Sequence, residues 1–460
     1  MSCCAALVFA ASLASPPAPL GPEAFAARRE RLASELPPRS VALLRGAPEQ
    51  PASTDPYRQD SDFWYLTGID ETGVTAVLAR DGAGLTRYLL FVQPPNPAED
   101  QWTGFRVGVE GAKARFGADE AFPAPELWDR LGKIGAEATA LYFLDAGDKA
   151  FRDRLLEAWW KGDANATTPR PTVSAAPMLA KMRLLKDPGE IRLLRRSVDL
   201  SVEAHRAAMA ALAPGRSEAA LKAAMVASCL EGGAARMGYP PIVGSGPNSV
   251  VLHYDRADRT LQAGEMVVND TACEYQMYSA DVTRSYPVSG RFSPEQKAIY
   301  EIVLAAQKAG IEKVRPGARV SDVYEATVGV VVDGLLRLGL LQGDREEIVR
   351  SRSFRKFYPH GCSHWLGLDV HDAGSYEFAL SEHGWRDRHF YARAALQPGM
   401  VLTVEPGIYV PEGATEDRKW WNIGVRIEDD VLVTPEGPDC LSCPLPREIA
   451  DVEKALKPRR

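Results

Sequence analysis

The sequence predicts an α+β protein of two domains, and three observations predict it. Up to about Trp160 the chain alternates β-branched or aromatic runs with amphipathic stretches. Residues 161–177, KGDANATTPRPTVSAAP, then break the pattern with Pro, Ala and Thr, as a linker does. Beyond them the capped helices stand apart from the chemically interesting residues, which fall on strands and turns, so helices support a curved sheet that holds the chemistry. We expect a leader over residues 1–21, an α/β domain over 22–170 and a larger domain over 178–456.

In the first domain SVALLRG, TAVLAR, RYLLFVQ and TALYFLD read as strands, and FAARRERLASEL and FRDRLLEAWW as helices. In the second, Asp187-Pro188-Gly189-Glu190 sets an N-cap, a first-turn proline and an N3 glutamate in register, ahead of Ile191, Leu194, Val198 and Val202. Pro214-Gly215 closes that helix. Ser217 caps the next, with Leu221, Met225 and Leu230 inward. Ser293-Pro294-Glu295-Gln296 repeats the capping signature, and Ser321 begins a fourth helix. A rough order of helix pair then strands, twice, does not amount to a repeat, because no stretch is plainly self-similar.

Composition narrows the function classes. A 460-residue chain with 45% hydrophobic and 25% charged residues is ordinary for a globular protein, and its charge of −7 without a basic tract argues against nucleic acid. The seven cysteines are odd in number and irregularly spaced, so no disulfide framework is expected; Cys440 and Cys443 read as two small residues near a strand end. CCAALVFAASLAS has the length of an export signal but no basic flank, which leaves cytoplasmic and exported locations both open. It is too short to span a membrane, and no later segment does so.

Five residues carry the chemistry: Asp270 and Asp281 in VVNDTACEYQMYSADVTRSYPV, His364 in HGCSHWLGLDVHD, Glu405 in VLTVEPGIYV and Glu428 in VRIEDD. Carboxylates in apolar runs need buried partners, and these runs hold too few Lys and Arg to provide four. Two divalent cations would provide them. Four oxygen donors and one imidazole suit Mn²⁺, and less selectively Co²⁺, Fe²⁺ or Zn²⁺. A hairpin turning at Tyr275 and Gln276 would place Asp270 directly opposite Asp281. The competing reading pairs Asp281 with Arg284 as an ordinary ion pair.

Around this set, His360 and His364 are four apart, yet HGCSH lacks the glutamate and helix propensity of a zincin motif. One of the two binds metal and the other supports it or the substrate. His253 in VVLHYD and His371 in LDVHD could donate to a developing oxyanion. Arg426 shares a strand face with Glu428, either to bind a substrate carboxylate or to neutralise its neighbours. Cys362 between the histidines does not make a dyad, and Trp420 and Trp421 either line a pocket or pack a loop.

At this point the chain resembles the pita-bread metallopeptidases, specifically aminopeptidase P and prolidase. The matching text is IVGSGPNSVVLHY, DTACEYQMYSADVTRSYPVSGRFS, HGCSHWLGLDVHDAG, LQPGMVLTVEPGIYV and GVRIEDDVLVT, over roughly residues 178–455. YRQDSDFWYLTGID resembles the creatinase-type first domain of the same enzymes. The resemblance implies that Asp270, Asp281, His364, Glu405 and Glu428 ligate two metal ions, usually Mn²⁺. It further implies that Glu405 is the general base and that His253 and His371, with His360 and Arg426 beside them, meet the substrate. Thr271-Ala272 departs from the family's usual Ala-Gly or Met-Gly. The implied activity is release of the N-terminal residue from peptides with proline second, by attack of a metal-bridging hydroxide. Alternatives are an Xaa-Pro dipeptidase and, remotely, a non-catalytic peptide-binding homologue. Homodimers or homotetramers are expected, with Trp102 in QWTGFR as a residue reaching across.

Overall fold

Alternation at period two decides the first domain. Ala42, Leu44, Ala76, Leu78, Leu90 and Val92 point into one core, while Val41, Leu43, Val77, Ala79, Leu89 and Phe91 point into another. Both faces of the sheet are covered, so its strands read as unbroken apolar runs. The computed structural model describes residues 16–49, 56–161, 170–374 and 395–457. Most of the leader therefore lies outside the described residues, although Leu20 packs against the core.

The first-domain sheet has six strands in the order Glu120–Pro123, Thr86–Val92, Thr75–Arg80, Ser40–Arg45, Ala140–Leu144, Thr172–Ser174. Its centre is antiparallel and its flanks are parallel. Thr172–Ser174 corrects the linker: the second half of the Pro- and Thr-rich segment is an edge strand, followed at once by helix Ala176–Leu184. Residues 162–169 of that segment lie outside the described residues.

The second domain is α+β, with two helix pairs outside and small sheets inside. Pro188–Ala211 packs on Glu218–Glu231, and Pro294–Lys313 on Val320–Arg337. The capping boxes at Asp187/Glu190 and Ser293/Gln296 are both formed, and Ser217 caps the second helix. The fourth helix starts at Val320, where Asp322 Oδ2 accepts from the Arg319 amide at 2.8 Å. Leu230 is 51% exposed rather than inward; Cys229, one residue earlier, takes the core position. No described helix is long and apolar enough to cross a membrane.

Strands Ile242–Ser245, Met266–Thr271 and Val282–Pro287 form one sheet; Val401–Val404, Asp429–Thr434 and Gly437–Cys440 form another. Bridges Thr283 to Glu428 and Trp365 to Leu402 stitch the pieces into one curved surface. The two domains share a core: the Trp64 ring meets Tyr278 edge-on at 6.0 Å, and Tyr65 donates to the Met182 carbonyl.

The cysteine expectation is overturned. Cys229 and Cys273, 44 residues apart, form a disulfide between a helix and a strand, and Cys440 and Cys443 form a second. Spacing along the chain carries no sign of the first bridge, because helix-on-strand packing brings the two residues together. Among the described residues, Cys362 is left free and buried.

Candidate metal centre

Two strands set the first pair of carboxylates. Asp270 lies on Met266–Thr271 and Asp281 immediately precedes Val282–Pro287. The register pairs Asp270 with Thr283, not with Asp281, and the turn falls at Gln276–Met277, one residue later than expected. Both turn residues have positive φ, 47° and 71°, as a two-residue I′ hairpin requires. An offset of two residues preserves the face, so both carboxylates still point the same way. They share one partner: the Tyr239 hydroxyl contacts Asp270 Oδ1, and Asp281 Oδ1 at 2.6 Å.

His364 arrives on an extended segment that runs along Val401–Val404, with the Thr403 amide donating to the His364 carbonyl and the Glu405 amide to the Cys362 carbonyl. That pairing also places Glu405. His364 Nδ1 donates to the Trp365 carbonyl at 3.1 Å, which turns Nε2 toward the acids, 3.3 Å from Asp281 Oδ2 and 3.8 Å from Glu405 Oε1. Glu428 Oε2 accepts from Thr283 Oγ1 at 2.6 Å. Ligand atoms of Asp281, His364 and Glu428 all lie within 4.8 Å of one another. The structure thus gathers all five expected residues, although they span 159 positions of sequence.

Arg284 is not the partner of Asp281. It points the other way, fully buried, with Nη2 on Asp429 Oδ1 at 2.6 Å and Nη1 on the Glu428 carbonyl at 2.7 Å. Arg426 is committed to Asp270 (Nη2 to Oδ2, 2.5 Å), to the Tyr409 hydroxyl at 2.9 Å and to Thr283 Oγ1 at 3.2 Å. His360 Nε2 also meets the Tyr409 hydroxyl, at 2.9 Å, with Nδ1 3.7 Å from Glu405 Oε2. His371 lies beside His364, ring centroids 4.2 Å apart, and His253 is exposed near it. Trp420 packs into the core and Trp421 donates to the Thr415 carbonyl, so loop packing accounts for both.

Electrostatics test whether this cluster suits cations. Among the described residues, the ion pairs of the four carboxylates are with Arg426, His360 and His364. Burial, then Asp281 and Glu405, push the Glu428 carboxyl well above its ordinary range. Burial pushes Glu405 up to about 7, with His364 and Arg426 opposing, and Asp281 is raised chiefly by burial. His364 is raised to about 9: burial lowers it, but Asp281 and Glu405 outweigh that. Tyr239 has a single proton for two carboxylates. A cluster that cannot ionise fully by itself, built of hard oxygen donors and one imidazole, fits divalent cations. Cys362, by contrast, is pushed up to about 12 by burial and is no nucleophile.

Sequence reasoning missed Tyr239, Thr283, Tyr409 and Asp430. Asp430 Oδ2 accepts from the Asp281 amide at 3.1 Å, and burial followed by Asp281 raises its carboxyl well above the usual range. Three successive acids in the apolar run VRIEDDVLV were a usable signal for it. Tyr239, 31 residues before Asp270, gave none.

The fold and the site define a metal-dependent peptidase with a pita-bread catalytic domain. Residues 192–435 match the model of metallopeptidase family M24, and residues 25–142 match the aminopeptidase P N-terminal domain. The chain belongs to the M24 family. It is 36% identical to the Xaa-Pro aminopeptidase of Haemophilus influenzae, covering 95% of this chain and 98% of that one. Identity to the Xaa-Pro aminopeptidase of Escherichia coli is also 36%, over 94% and 97%. Among solved structures, aminopeptidase PepP of Pseudomonas aeruginosa superposes with a TM-score of 0.87 at 37% identity, covering 95% of this chain and 98% of that one. Aminopeptidase P of E. coli with the inhibitor Pro-Leu gives 0.89 at 34%, covering 95% and 99%.

Proposed function

We propose that this chain is an Xaa-Pro aminopeptidase that removes the first residue from peptides with proline second. The observation that carries the reading is the convergence of Asp270, Asp281, His364, Glu405 and Glu428 on one buried point. Likeness along nearly the whole chain to enzymes named Xaa-Pro aminopeptidase supports the substrate class and disfavours prolidase.

In this reading the five residues hold two divalent cations, with Mn²⁺ preferred for their hard donor set. A related E. coli enzyme has been solved Zn-substituted, so the geometry of such sites tolerates other ions. Bound cations supply a water of lowered pKa and polarise the scissile carbonyl. The chain's own residues do the rest. Glu405 takes the water proton and returns it to the departing proline nitrogen. His371, lowered to about 4 by burial and by His364, is neutral and donates with His253 to the developing oxyanion. Arg426 and Tyr239 fix Asp270 beside the substrate's free amine, and Tyr409 orients His360. Recognition through the amine suits a bond that has no N–H to grip.

Trp102 and Phe105, 87% and 95% exposed, are apolar surface for a second copy to cover, consistent with a homodimer or homotetramer. Hydrolysis of Xaa-Pro-Yaa against Xaa-Pro tests the assignment: preference for the tripeptide is expected, and turnover of the dipeptide alone overturns it. Chelation should abolish activity and Mn²⁺ restore it; full activity after complete chelation would remove the metal reading.

A further inference from the structure

His371 meets the site's ligands through its ring against His364, and its sequence neighbour is a heavily anchored carboxylate. Asp372 is fully buried. Its Oδ1 accepts from Arg183 Nη2 at 2.5 Å and its Oδ2 from Lys186 Nζ at 2.9 Å. Its amide donates to the Trp365 carbonyl at 2.9 Å, closing the loop that begins at His364. A side chain at Gly367 would overlap Asp372 Oδ2 and crowd Lys186, so the loop wraps tightly on this carboxylate.

Arg183 does not serve the second domain alone. Its Nη1 reaches Asp62 at 2.7 Å on the first-domain helix Ser61–Thr67, and its Nη2 also reaches Asp369 at 2.6 Å. Ser61 Oγ donates to Asp369 Oδ1 at 2.6 Å. Arg58 extends the contact: Nη2 donates to the Leu368 carbonyl at 2.5 Å and Nε to Glu274 at 2.7 Å. First-domain groups thus grip the loop at Leu368 and Asp369. The segment that joins the domains, Ala176–Leu184 and on to Lys186, supplies the cations between them.

We propose that Arg183 and Lys186 are positioning residues: acting through Asp372, they make docking of the first domain set the pose of His371 over the metal centre. Asp270 lies on a strand, Asp281 adjoins one, Glu428 is bridged to Thr283, and backbone hydrogen bonds tie the His364 segment and Glu405 to each other, whereas His371 lies on a loop. The role rests on the assignment of His371 as a substrate contact.

A double-mutant cycle tests it on the full-length, Mn²⁺-loaded enzyme with an Xaa-Pro-Yaa peptide. His371→Ala alone should lower kcat/KM; no change there refutes the substrate role itself and leaves the clasp without a purpose. Given that loss, Arg183→Met and Lys186→Met should each lower kcat/KM by about 10- to 100-fold while metal content by elemental analysis stays at the wild-type value. In the His371→Ala background the same substitutions should cost less than about twofold, because their effect has already been spent. Additive losses, or losses that track metal content, overturn the proposal. Should Arg183→Met not fold, Asp62→Asn leaves both cations on Asp372 and weakens only Arg183's own arm to the first domain; it should show the same dependence on His371, with a smaller effect.

Discussion

Tyr239 illustrates how the centre works at the scale of single residues. Its one hydroxyl proton faces two carboxylates, so the second contact is favourable only when something else compensates the charge. Asp281 has the most to lose. An Asp281→Asn chain should keep its fold, as read by circular dichroism, while kcat/KM falls at least about 100-fold and bound metal drops; near-wild-type rates with normal metal would remove Asp281 from the site. The pH behaviour of stripped protein follows from the same groups. His364, raised from 6.5 to about 9, contributes stability in full below its unfolded value and loses it as pH climbs through the folded one. Glu405, raised to about 7, loses stability in the same direction over a lower window. His371, lowered to about 4, acts oppositely below its unfolded value of 6.5. The upper window, pH 6.5 to 9, is therefore diagnostic: chelated protein should melt at falling temperature across it. Because cations bind the deprotonated ligands, the gap to Mn²⁺-loaded protein should widen with pH. Parallel melting curves for the two forms would contradict this.

At the scale of elements, strands do the positioning and a few close approaches make it possible. Ile423–Arg426 carries Arg426, pairs with Gly407–Val410, and passes so near the 246–250 turn that a Cβ at Gly424 would overlap the Ser249 backbone. Gly424→Ala should cost about 2 kcal/mol or more in chemical denaturation, with activity falling as Arg426 shifts off Asp270; unchanged stability would mean that the strand moves freely there. Much at this scale was readable beforehand. Capping boxes at Asp187 and Ser293 are local chemistry, and local chemistry is written in consecutive residues. Register was less readable. Placing Asp270 opposite Asp281 erred by two residues, yet period-two geometry kept the shared face. Leu230 was misplaced because it lies beside Cys229, and the helix turns the latter toward Cys273.

At the scale of the whole molecule, the two domains are joined by more than a linker. Trp64, Tyr65 and Leu66 of the first share a core with Tyr278, Met182 and Leu368 of the second. Unfolding either exposes that surface, so calorimetry should record one cooperative transition for the pair; two separated transitions would show independent stability. A Pro- and Thr-rich stretch reads as a linker, but Thr172–Ser174 completes the first sheet and Arg183 pins the second domain to the first-domain helix Ser61–Thr67. Consecutive residues were enough for the inventory: five ligand-type residues in apolar runs, the helices with their caps, and the α/β and α+β character of the two domains. Those properties depend on side-chain type and short-range periodicity, which neighbours in the chain suffice to express. Partners were set by long-range packing. Arg426 goes to Asp270 and Arg284 to Asp429, Tyr239 bridges two acids, and two disulfides form, because each choice depends on groups brought together by strand pairing and helix packing across long stretches of chain.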